Sequence, residues 1–174
     1  MKTERLYDGE WISLRSIVAP EKGVGGYVYS HETSCAGQKV AVMPFLRRVG
    51  GNQYLVRREI TPCWGMDHNL SSLTGGVDKG DTVRHTAIKE VKEESGYTVT
   101  DEELIPLGTA FGTKSTDTIY YLFGVDVTNK EQGIAAGDGS PLDNDGTVQF
   151  ELNPHLVSND PHVTVLWARL QTKI

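Results

Sequence analysis

One segment limits the possible fold more than any other. Over residues 73–97 the chain reads LTGGVDKGDTVRHTAIKEVKEESGY. The pattern predicts a glycine-rich turn over 73–81 and a helix over about 82–95. Asp81 or Thr82 can cap the helix start, and Gly96 stands where a helix end takes a left-handed residue. Val83, Ala87 and Val91 recur every four residues, with Ile88 beside them, and form an apolar stripe that needs a core to face. Glu90, Glu93 and Glu94 fall at i, i+3 and i+4. They share one face within a turn, where like charges cost roughly 0.2–0.5 kcal/mol per pair. A hard divalent cation among them removes that cost, since Mg²⁺ takes oxygen ligands. Gly75 and Gly76 let backbone approach the same cleft, in whatever dihedrals the turn requires. Taken alone, the three acids also suit a solvated helix face, with Lys89 placed to pair with Glu93.

The rest of the chain supplies strands to pack against this helix. Residues 40–46 read as a buried strand ended or distorted by Pro44. Residues 53–60 read as the next, after a turn at Gly50, Gly51 and Asn52. Residues 61–72 read as a loop, 107–111 and 118–127 as strands, and 128–150 as a long loop. Asp160 and Pro161 form an N-cap and first-turn pair. Val163, Leu166, Trp167 and Leu170 follow at helical spacing, so a final helix is expected at about 161–172. The first 36 residues hold strand-like pieces at 11–18 and 27–29 around Gly23, Gly25 and Gly26. They are expected to form a β-rich arm, packed on a domain at 37–174 or on a partner subunit. There is no internal repeat.

Composition narrows the function classes. With 174 residues the chain suits one domain and buries about two-thirds of its unfolded surface, so neither metal nor disulfide is needed for folding. The 23 acids against 17 bases, a net charge of −6, argue against a passive binder of long nucleic acid. Two cysteines, Cys35 and Cys63, are too few for a disulfide scaffold or a thiolate zinc site. The N-terminus has no signal-peptide core, and no stretch approaches the roughly 18 apolar residues of a membrane span. A soluble cytoplasmic protein is the expectation.

The spacing of the central segment resembles the Nudix box. That motif reads glycine, five residues, glutamate, seven residues, then arginine-glutamate-aliphatic-any-glutamate-glutamate-any-glycine-aliphatic. Here Gly75 is followed by five residues, Asp81, seven residues, and then Lys89-Glu90-Val91-Lys92-Glu93-Glu94-Ser95-Gly96-Tyr97. The length matches without a gap. Asp81 stands for glutamate, Lys89 for arginine, and Tyr97 for an aliphatic residue. The resemblance implies an α/β fold, an α/β/α sandwich with a mixed sheet. It implies metal-dependent hydrolysis of a pyrophosphate bond in a nucleoside diphosphate derivative, with Mg²⁺ or Mn²⁺ as cofactor. It assigns the metal to Glu90, Glu93 and Glu94, with a carbonyl at Thr74 or Gly75 and support from Asp81. Glu90 and Glu94 are also the catalytic candidates within the box. Lys89 replaces an arginine that orients the glutamates by a forked ion pair; lysine keeps the charge and loses the fork.

The substrate is not written in the box. The order of Tyr54-Leu55-Val56-Arg57-Arg58, a loop and the box resembles ADP-ribose and nucleotide-sugar pyrophosphatases. So do the β-rich N-terminus, which helps form a homodimer in that subgroup, and residues 115–123. The subgroup's proline before the box glycine is missing, with Leu73-Thr74 in its place. Arg57, Arg58, Gly75 and Gly76 are the candidates for phosphate binding, although alternation along a strand sends one arginine to the other face. In some enzymes of that subgroup a late loop supplies the base; Asp138, Asp143, Asp145 or Glu151 could do so here, with Asp145 and Glu151 ranked equally, and the same acids equally suit a solvated loop. Trp11, Tyr27 or Trp64 could stack on a base, and His68 and His85 offer little. The alternatives are a dinucleoside polyphosphate, nucleoside triphosphate or RNA-cap hydrolase, and a catalytically weak Nudix sensor that binds a nucleotide.

Overall fold

The computed structural model describes residues 1–137 and 146–174. Two sheets organise them. The first is three-stranded and antiparallel, in the order β1 (Lys2–Asp8), β2 (Ile12–Ala19), β3 (Val24–Glu32). β1 had no counterpart in the sequence pattern. All seven of its residues are exposed, so no burial periodicity marks it.

The second sheet is mixed and carries the core. Its strands are β4 (Gln38–Leu46), β5 (Gln53–Ile60), β6 (His68–Ser71), β7 (Leu73–Gly76), β8 (Ile105–Phe111), β9 (Ile119–Asp126) and β10 (Thr147–Glu151). They run in the order β10-β5-β4-β9-β8, with β6 against β5 and β7 against β4. β4 is parallel to β9 and antiparallel to its other partners. Side chains alternate across a strand, so β4 feeds two layers. Val40 and Val42 face helix α1 (Val83–Ser95) through Ala87 and Val91. Ala41, Met43 and Phe45 face helix α3 (Pro161–Leu170) through Val163, Leu166 and Leu170. All ten of these side chains are fully buried. The result is the expected α/β/α sandwich.

β4 and β5 pair only at Phe45 with Tyr54 and Leu46 with Gln53, and then diverge. β6 fills the fork against β5, and β7 fills it against β4. This corrects two expectations. Residues 61–72 contain β6, and the glycine-rich stretch begins as a strand, β7, not as a turn. Pro44 does not end β4. The Val127 N–H donates to the Phe45 carbonyl at 2.9 Å, so the neighbouring Pro44 nitrogen points into the fork, where no ladder bond is needed. The end of the expected 128–150 loop is β10, paired with β5 from Thr147–Arg58 to Glu151–Tyr54. Between β6 and β7, Ser72 is tied to α3: Asp160 accepts from its N–H at 2.9 Å and from its Oγ at 2.7 Å. A one-turn helix, α2 (Pro154–Val157), precedes α3. Among the described residues no helix is long and apolar enough to cross a membrane.

Candidate functional site

The α1 helix is placed by its two ends. Thr82 Oγ1 accepts from the His85 N–H at 3.1 Å, and Gly96, at φ 77°, closes the C-terminus with its N–H on the Lys92 carbonyl. A Cβ on Gly96 would lie 2.3 Å from the Gly133 carbonyl oxygen, so glycine is required twice over. With Ala87 and Val91 sunk into the core, Glu90, Glu93 and Glu94 turn toward β7.

All three glutamates line one cleft of about 810 Å³, with Thr74, Gly75 and Gly76. Gly75 is required sterically, for a Cβ there would sit 1.8 Å from Glu90 Oε1. Neither Gly75 nor Gly76 has a positive φ, so dihedral freedom is not the reason for glycine at these strand positions. Glu94 is held at both oxygens. The Thr74 N–H donates to Oε2 at 3.1 Å, and the Arg57 guanidinium donates to Oε1. Burial pushes the Glu94 carboxyl well above the usual range. Arg57 opposes this, Glu90 and Glu59 add to it, and the Thr74 N–H opposes it again.

The opposite wall comes from the N-terminal sheet and the connections beside it. Trp11, Ile12, Ser30, Glu32, Lys39 and Thr116 line the same cleft as the glutamates. The sheet is fastened there by the Ser30 N–H on the Ser115 carbonyl at 2.8 Å, by His31 with Asp117 at 3.0 Å, and by Thr118 Oγ1 on Glu32 at 3.1 Å. Lys39 pairs with Glu32 at 2.8 Å. The sequence pattern singled out neither Glu32 nor Lys39. They sit far from the box, and only the arm-to-sheet packing brings them to it.

Other expected site residues lie elsewhere. Strand alternation puts Arg57 on the same face as Leu55, toward α1, whereas Arg58 shares the face of Tyr54 and Val56, toward α3. Arg58 is exposed and lines no described cavity. Glu151 meets the same geometry. Val148 and Phe150 pack on the α1 side, so Glu151 points to the other side, where its carboxylate accepts from Gln149 at 2.6 Å. Asp81 also stands outside the cleft lining. It accepts from the Thr82 N–H at 2.8 Å and pairs with His85 at 2.6 Å. Asp138, Asp143 and Asp145 lie outside the described residues. Of the three aromatic candidates only Trp11 lines the cleft; Tyr27 donates to the Lys114 carbonyl instead, and Trp64 lies elsewhere.

The cleft is acidic. Five carboxylates, Glu32, Asp78, Glu90, Glu93 and Glu94, face two cations, Lys39 and Lys89. These are hard oxygen donors of the kind that Mg²⁺ and Mn²⁺ take, and glycine backbone lies beside them. The donor chemistry therefore fits a divalent cation. Among the described residues, however, no three such side chains are drawn together closely enough to hold one. Glu94 is occupied by Arg57, and Lys89 lies 3.7 Å from Asp78 and 3.9 Å from Glu93.

Comparison with known proteins agrees with this architecture. A solved structure described as an ADP compounds hydrolase matches with a TM-score of 0.68 at 18% identity, over 99% of this chain and 92% of that one. No curated protein sequence matches. The NUDIX domain family matches residues 37–155, which take in the mixed sheet, the fork and the whole glutamate helix. On that match the chain belongs to the Nudix family of pyrophosphohydrolases.

Proposed function

We propose that the cleft hydrolyses the pyrophosphate bond of a nucleoside diphosphate derivative, with ADP-ribose or a nucleotide sugar as substrate. The observation that carries this reading is the composition of the 810 Å³ cleft, in which the box glutamates and glycines face Trp11 and Ser30 across a space of ligand size. An acidic cleft repels a pyrophosphate by itself. Glu90, Glu93 and Glu94, with a carbonyl of Thr74 or Gly75, would hold Mg²⁺ or Mn²⁺. When bound, that ion supplies charge neutralisation and an acidified water. The protein's own residues do the remainder. Gly75 and Gly76 leave backbone open to the phosphates, Lys39 and Lys89 offset their charge, and Trp11 stacks on the base. The fold relative, an ADP compounds hydrolase, points the same way.

The exposed apolar face of the N-terminal sheet supports a homodimer. Tyr7, Leu14 and Val28, which the strand register places on one face, are each at least 41% exposed. In this reading residues 1–36 are an arm and 37–174 the catalytic domain. The compartment is the reducing cytoplasm, where the exposed Cys63 stays a free thiol.

A second reading has two observations in its favour. Among the described residues the carboxylates are not converged, and Asp81 is taken up by His85, as a nucleotide-binding Nudix sensor with weak turnover would allow. A panel of ADP-ribose, sugar nucleotides, dinucleoside polyphosphates, nucleoside triphosphates and capped RNA, with Mg²⁺ and then Mn²⁺, separates these. AMP and ribose phosphate from ADP-ribose support the first reading. Turnover of another member alone discards the substrate class. Silence with both metals, together with thermal stabilisation by a nucleotide, establishes the sensor.

A further inference from the structure

The pattern of β5 marks Arg57 as a phosphate ligand, and the structure gives it different surroundings. Arg57 is 5% exposed and does not line the large cleft. Its guanidinium pairs with Glu94 and lies 3.5 Å from Glu59, whose other oxygen accepts from Ser71 Oγ at 2.6 Å. Gly146 packs over it so closely that a Cβ there would lie 2.4 Å from Nη2. Arg57 is thus pinned by a carboxylate on its own strand and by glycine backbone above. It reaches Glu94 from β5 while the Thr74 N–H reaches it from β7. The Glu94 side chain, 9% exposed, is fixed from both arms of the fork.

Lys89 stands where a Nudix box carries its orienting arginine. Its side chain is 44% exposed, and its contacts with Asp78 and Glu93, at 3.7 and 3.9 Å, exceed hydrogen-bond length. It does not contact Glu94.

We propose that Arg57 is the positioning residue of this site: its guanidinium supplies from β5 the buried orienting cation that Lys89 does not supply from the helix, and so aims the Glu94 carboxylate. The inference rests on the function proposed above for the glutamates. It also carries a clear contrast, since a phosphate ligand governs substrate affinity whereas a positioning residue governs turnover and the metal.

The test compares wild type with Arg57→Lys and Arg57→Met, using the hydrolysed member of the substrate panel and, separately, calorimetric titration with Mn²⁺ alone. Circular dichroism and thermal melting report folding. Should the methionine variant not fold, the lysine variant, which keeps the buried charge and loses the fork, decides. In Arg57→Lys, kcat is expected to fall at least about 30-fold with KM within about threefold, and Mn²⁺ affinity at least about threefold. A KM raised about tenfold with kcat retained would show direct phosphate binding and overturn the proposal. Wild-type kcat or wild-type Mn²⁺ affinity in the lysine variant overturns it equally. If the wild type hydrolyses nothing, the proposed function falls, and the Mn²⁺ titration alone decides the role of Arg57.

Discussion

At the scale of single residues, the site depends on what lies against each glutamate. Glu94→Gln removes a charge held by Arg57 and the Thr74 N–H. Its turnover is expected to drop at least about a hundredfold, measured as product release under saturating metal. Near-normal turnover would strip Glu94 of its role. Gly75→Ala puts a methyl group into the space of the Glu90 carboxylate. The side chain must swing away, so activity is expected to fall at least about tenfold while stability changes by less than about 1 kcal/mol. A melting temperature lowered in step with activity would instead mean that β7 itself is disrupted. Lys89→Arg is expected to keep activity, because position 89 is half-exposed and, among the described residues, reaches only Asp78 and Glu93. A loss above about tenfold would show a site adapted to lysine. The glutamates and glycines were legible in the sequence because their spacing is local, one helical turn and one strand. The partner of Glu94 was not, because it comes from another strand 37 residues earlier. Arginine pairs read equally well as phosphate ligands until the fold shows which one is buried.

At the scale of elements, Asp160 joins three of them. It caps α3 by accepting from the His162 N–H at 2.8 Å, and it accepts from both Ser72 donors at the junction of β6 and β7. Asp160→Ala loses the cap and leaves a buried N–H unpaired, for a combined cost of about 2–4 kcal/mol in denaturant unfolding. Burial alone would raise the Asp160 carboxyl, but the hydrogen bonds from His162 and Ser72 outweigh it and hold the group below its ordinary 3.8. The native state therefore binds this proton less readily than the unfolded chain. The resulting stability is complete above the ordinary value and disappears as pH falls through the lower native one. The advantage of wild type over Asp160→Asn is thus expected to be constant near neutrality and to shrink below about pH 4. An advantage that grows with acid would refute the assignment. Both long helices were legible, since each has a cap residue and a 3.6-residue apolar stripe. β6 and β10 were hidden. Four or five half-exposed residues carry little alternation, and what makes them strands is pairing with the two edges of β5.

At the scale of the molecule, the arm and the sandwich meet at the cleft. Trp11 is 71% exposed at its mouth. If Trp11 stacks on a base, Trp11→Ala is expected to raise KM by about 5–150-fold, as loss of roughly 1–3 kcal/mol of stacking implies, with kcat retained. An unchanged KM would place the base elsewhere. Sedimentation is expected to give twice the 19.1 kDa chain mass, and Leu14→Lys with Val28→Lys to restore the single mass. A wild-type monomer would mean that the apolar face is merely tolerated. The three-stranded sheet was only partly legible, because its order is set by pairing between pieces whose outward residues are mixed.

The fork in the large sheet bears on how the molecule opens. β4 is bonded along its length to β9 and then in turn to β7 and β5, whereas β5 and β4 share only two paired positions. The amides of β4 and β9 are therefore expected to be the last to exchange with deuterated solvent. Those of β5, β6 and β10 should exchange earlier and together, as a separate cooperative unit. Since Glu94 is grasped by both units, a ligand seated on the glutamates would bring their two exchange rates together.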